Sequence, residues 1–105
     1  MSVEYTFERH SQDLVGEAID YGHEPRLRAY VRRNSHDFQS YARVYSWTQE
    51  GWRDITFTPV ESLQCYPYSY TTPKTPDKES EWQDAMRGDL DTLLDKARRF
   101  HGKEG

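Results

Sequence analysis

The chain has 105 residues, a net charge of −4, 14% aromatic residues and one cysteine, Cys65. That length supports one core and not two, and a lone cysteine excludes an internal disulfide and a multi-cysteine zinc site. No apolar run is long enough for a signal peptide or a membrane span, so the expectation is a single cytoplasmic domain over residues 1–105, with no membrane contact and no cofactor.

Val3, Tyr5 and Phe7 alternate with Glu4, Thr6 and Glu8, the period of a half-buried strand. Ser11 then offers a cap for a short helix in which Leu14, Val15, Ala18 and Ile19 share one face and Gly22 ends the turn. Pro25 biases Glu24 toward extended geometry and marks the entry to the next strand.

Residues 26–58 read as two consecutive β-hairpins. The first turns at Asn34-Ser35-His36-Asp37, residues that hydrogen-bond their own backbone. Pairing Arg33 with Phe38 sets Val31 opposite Ser40, Ala29 opposite Ala42 and Leu27 opposite Val44. The second turns at Thr48-Gln49-Glu50-Gly51 and pairs Trp47 with Trp52, Val44 with Ile55 and Ala42 with Phe57. Both hairpins deliver the same apolar inner face, which a one-residue slip would scramble.

Residues 59–76 form a long loop rich in proline (Pro59, Pro67, Pro73, Pro76) and tyrosine (Tyr66, Tyr68, Tyr70). The last element is a helix over 76–101, capped by Thr75, with Pro76 at its first position and Asp77, Glu79 and Glu81 at the positive end of its dipole. Trp82, Met86, Leu90, Leu93, Ala97 and Phe100 make its apolar stripe. Gly88 interrupts that stripe at a cost of about 1 kcal/mol against Ala and marks a kink, a close contact, or a break recapped by Asp89. The expected fold is α+β: an antiparallel sheet of three to four strands, with the short N-terminal helix and the long C-terminal helix packed on one face.

The other face of that sheet carries the functional signal. It displays Arg26, Arg28, Tyr30 and Arg32, then Tyr41, Arg43, Tyr45 and Trp47, then Trp52 and Asp54. Charge follows the same division: residues 26–58 hold six arginines against three acids, whereas residues 1–25 hold one arginine against six acids. The acidic segment is therefore the internal candidate for neutralising the arginines.

Arg, Tyr and Trp dominate interface hot spots because they bury much area with few rotors and keep polar rims. Arg28, Tyr30, Tyr41, Arg43, Tyr45, Trp47 and Trp52 are thus the candidate binding residues of a small non-enzymatic interaction module. Its partner is a protein, or a second copy in a homodimer. The module would act as an inhibitor or adaptor, as small acidic bacterial and phage proteins often do, an analogy of size and charge only. Three other readings stand beside it. The rings would also suit stacking of single-stranded nucleic acid, although the face has no lysine and the chain is acidic. A small enzyme would place its site between the 59–76 loop and the sheet. In the last reading the face is covered by the protein's own loop or is simply solvated.

Catalytic and metal signatures are absent. Nothing around Gln64-Cys65-Tyr66 suggests a depressed thiol pKa. His10, His23, His36 and His101 show no ligand spacing. Asp84, Asp91 and Asp95 share the outer face of the last helix, the ordinary pattern of a solvated surface.

Overall fold

The computed structural model describes residues 2–36, 39–56 and 70–104, with side chains to Arg99. Val3–His10 (β1) turns through Ser11 and Gln12 into Asp13–Asp20 (β2), and the two pair antiparallel from Val3 opposite Asp20 to His10 opposite Asp13. The segment expected as a short N-terminal helix is therefore a strand. Leu14, Val15, Ala18 and Ile19 would share one face of a helix, but in the strand they divide two and two between the faces of the sheet. Leu14, Gly16, Ala18 and Asp20 are buried on one side, while Val15, Glu17 and Ile19 are half-buried on the other. Ser11 is a turn residue and not a cap: its φ of 58° at the first of two turn positions is the type II′ arrangement of a tight hairpin.

Leu27–Arg33 (β3), Tyr41–Thr48 (β4) and Gly51–Asp54 (β5) continue the sheet in the order β1-β2-β3-β4-β5, five antiparallel strands among the described residues where three to four were expected. The first expected register is off by two residues. Val31 lies opposite Ala42, Ala29 opposite Val44 and Leu27 opposite Ser46. The connection after Arg33 is longer than a four-residue turn because buried Asn34 organises it. Its backbone N–H donates to Ser40 Oγ (3.2 Å), its Nδ2 donates to Asp13 Oδ1 (2.9 Å), and its Oδ1 accepts from the His36 N–H (2.7 Å). Phe38 lies outside the described residues. The second register is as expected, with Trp47 opposite Trp52. Beyond β5, the Ile55 N–H donates to the Val44 carbonyl at 2.8 Å. Gly51 has φ 110°, which only glycine adopts without strain. The pairing expected for Phe57, and the loop from there to residue 69 with Cys65, lie outside the described residues.

One helix, Glu79–Glu104 (α1), covers the side of the sheet that carries Leu14, Ala18, Leu27, Ala29, Val31 and Val44. It begins three residues later than Thr75-Pro76 suggested, and the Lys78 carbonyl accepts from the Trp82 N–H (3.5 Å). Trp82, Met86, Leu90, Leu93, Leu94 and Ala97 are buried beneath it. Full burial of each large side chain contributes roughly 1.5–3 kcal/mol. At Gly16 the two layers are in close contact: a Cβ there would overlap Met86 Sδ and stand 2.8 Å from Met86 Cγ.

The helix does not break at Gly88. Asp89 is buried and accepts from the N–H and hydroxyl groups of both Thr71 and Thr72, at 2.6–3.1 Å. The Ala85 carbonyl, 2.8 Å away, is a second acceptor for the single proton of the Thr71 hydroxyl. Asp89 thus docks the chain entering the helix and recaps nothing. Further along, Arg98 donates to buried Asp20 at 2.8 Å and fastens the helix to β2. Among the described residues, no helix is long and apolar enough to cross a membrane.

Candidate docking face of the sheet

Because side chains alternate across a strand, every residue opposed to the helix-facing set points to the other side of the sheet. On β3 and β4 these are Arg28, Tyr30, Arg32, Tyr41, Arg43, Tyr45 and Trp47, and β5 adds Trp52 and Asp54. All the expected binding residues therefore share this side, which no described element covers. Their neighbours differ from the expected ones. Arg28 lies opposite Tyr45, Tyr30 opposite Arg43 and Arg32 opposite Tyr41, so the like-charge pairing of Arg28 with Arg43 does not occur.

The arginines are neutralised from within the sheet. Arg28 pairs with Glu17 and Arg32 with Asp13, both from β2, and Arg43 Nε lies 3.8 Å from Asp54. The acidic N-terminal segment does supply the counter-charges of Arg28 and Arg32, but as a fourth strand of the face. Hydrogen bonds from Arg32 and Asn34 hold the Asp13 carboxyl below its ordinary range. Arg32 is correspondingly held above its own, chiefly by the same bond to Asp13.

Rings and cations interleave. Arg28 stands 5.1 Å over the Tyr45 ring and 5.8 Å over Trp52, and Arg43 stands 4.9 Å over Tyr41. Such contacts contribute about 0.5–1 kcal/mol each at exposed sites. Tyr30 and Tyr41 are tilted at 5.8 Å, diagonal neighbours and not opposite ones. Burial, then a hydrogen bond with Tyr41, holds the Tyr30 hydroxyl above its ordinary pKa. Trp47 and Trp52 meet edge-on at 5.1 Å.

One corner of this face is more open than the rest. Trp47 is 43% exposed and Tyr21 44%, the largest exposures of any large apolar residue among those described. Arg26 stands between them: its carbonyl accepts from the Trp47 N–H (2.9 Å), and its guanidinium lies 5.5 Å over the Tyr21 ring. Among the described residues, no carboxylate pairs with Arg26.

The sequence reading missed Asp13, Glu17 and Tyr21 as members of the face. Their signal was the odd-numbered alternation Asp13, Val15, Glu17, Ile19 and Tyr21, which the helical reading hid. No metal-binding group of three or more His, Cys, Asp or Glu occurs among the described residues. No protein-family model, no curated protein and no solved structure matches this chain.

Proposed function

We propose that this protein is a non-enzymatic interaction module that docks a protein partner on the open face of its sheet, with Tyr21, Arg26, Trp47 and Trp52 as the anchoring corner. The observation that carries the reading is the contrast within the face. Arg28, Arg32 and Arg43 are ion-paired, and Arg28 and Arg43 are also stacked on rings, whereas Arg26, stacked on Tyr21, has no carboxylate partner among the described residues and is flanked by the two most exposed rings. Aromatic anchors around one arginine are the usual make-up of a hot spot, and the surrounding ion-paired carpet would exclude water from it. The complementary partner surface has an apolar recess for Trp47 and a carboxylate within reach of Arg26. An inhibitor or adaptor role follows by occlusion of that surface.

The same pairing weighs against single-stranded nucleic acid. Its phosphates would have to displace Glu17, Asp13 and Asp54 from the arginines that were to receive them.

The test is a nuclease-treated capture from source-cell lysate, followed by titration of the purified partner against wild type, Trp47→Ala and Arg26→Glu. Each variant is expected to weaken the complex at least tenfold, while Asp95→Asn on the outer side of α1 leaves it unchanged. Equal affinity for all four proteins would overturn the reading. Salt-dependent quenching of tryptophan fluorescence by an oligonucleotide, with no protein captured, would move it to nucleic acid.

A further inference from the structure

Among the described residues, the first strand of the sheet has an unpaired edge. Among the described residues no strand lies beyond β1, and its eight residues pair with β2 without a bulge. It contains neither the proline nor the lysine by which edges are usually blunted. The phase of its hydrogen bonds is fixed at one end, where the Tyr21 N–H donates to the Ser2 carbonyl (2.8 Å). Because an antiparallel ladder alternates, the even-numbered residues of β1 turn their backbone groups to β2. Val3, Tyr5, Phe7 and Arg9 point theirs outward. The strand is also held in place. The Tyr5 hydroxyl donates to Asp91, Arg87 lies 4.8 Å over the Tyr5 ring and 5.9 Å over Phe7, and Arg9 pairs with Glu79 at 2.9 Å.

The charge on this edge selects the occupant. A strand added antiparallel would meet Glu4, Thr6 and Glu8 at the non-hydrogen-bonded positions, where facing side chains approach most closely. Both glutamates are exposed; Glu8 is bound only to His10 (2.7 Å), and Glu4 has no cationic partner among the described residues. A second copy is a poor fit. The self-pairing that uses all four outward residues sets Glu4 against Glu8 twice, a like-charge contact on each side of the dyad. We infer that the β1 edge receives an extended basic segment of a partner protein, with Lys or Arg two residues to either side of the residue facing Thr6 and small apolar residues between them, over Val3, Tyr5 and Phe7. This inference stands apart from the docking corner at Trp47, and either can fail alone.

The probe is a blocked synthetic peptide, Val-Lys-Val-Thr-Val-Lys-Val, titrated against the full chain with amide hydrogen exchange read residue by residue. Protection is expected at the N–H groups of Tyr5, Phe7 and Arg9 and not at those of Thr6 and Glu8, which already bond to β2. The Glu4→Lys/Glu8→Lys variant changes exposed side chains only. It should bind this peptide roughly tenfold or more weakly, since two facing pairs change sign, and should instead bind the same peptide with Glu in place of Lys. Unchanged exchange at the three odd amides under saturating peptide would overturn the inference. So would equal binding by the charge-reversed variant, or odd-amide protection that grows with protein concentration without peptide, which would give the edge to a second copy.

Discussion

On the side of the sheet under α1, Ala29, Val31 and Val44 are fully buried against Met86, Leu90 and Leu93, whereas the intervening residues Arg28, Tyr30 and Tyr45 on the opposite side are half-buried among ions and rings. The same strands thus present two kinds of cohesion. Beneath the helix, stability scales with apolar area and with the cavity that any deletion leaves. On the open side, it comes from partly exposed ion pairs worth about 0–1 kcal/mol each and from stacked cations of similar worth. The first kind is lost when a group is removed. The second is easily exchanged for contacts with a partner, and so one side of the sheet is suited to hold the fold together and the other to recognition.

Leu90→Ala breaks the covered side hardest, with an expected loss of about 2–5 kcal/mol in denaturant unfolding. Asp89→Ala follows: it strips the acceptor from the buried N–H and hydroxyl of Thr72, a loss of about 1–3 kcal/mol by the same measurement. Gly88→Ala sharpens the comparison from the opposite sign. Its Cβ would meet nothing closer than Thr71 Oγ1 at 4.0 Å, so thermal unfolding should show a gain of about 0.5–1 kcal/mol. Trp47→Ala on the open side should cost no more than about 1 kcal/mol of stability while removing partner binding. A loss as large as that of Leu90→Ala would show that the open side is structural after all.

The smallest effect concerns acid. Asp13 has a folded-state pKa below its unfolded value of about 3.9. Its contribution is therefore complete above about pH 4 and is lost as pH falls through the lower folded value. Asp13→Asn should be less stable than wild type at neutral pH and lose less further stability on acidification, as urea titrations at a series of pH values would show.

The candidate face was readable in the sequence although its β3–β4 pairings were not, and the reason is the period of two. A two-residue shift between β3 and β4 changes every partner of Arg28, Tyr30 and Tyr41 but keeps each on its side of the sheet. Hence the residue set survived an error in register. The shift itself was set by Asn34, whose bonds to Ser40, Asp13 and His36 extend the connection in a way that no local turn rule specifies. The strand at 13–20 was hidden because its four apolar residues, which divide two and two between the faces of the sheet, would all share one face of a helix. Only Gly16, a poor helix-interior residue, and the two-residue gap before Asp13 favoured the sheet. The long helix was legible from its stripe, yet its start was not, since Thr75-Pro76 has the chemistry of a cap without occupying one.

The near-contact of Gly16 with Met86 has a bearing on how this chain could vary. At Gly16, helix and sheet are separated chiefly by the bulk of Met86, with Leu90 Cδ1 3.3 Å from where a Cβ would stand. Positions 16 and 86 therefore draw on a shared volume. A methyl gained at one must be surrendered at the other, so chains descended from this one should hold the sum nearly constant while either residue drifts. Gly16→Ala paired with Met86→Val should be better tolerated than Gly16→Ala alone.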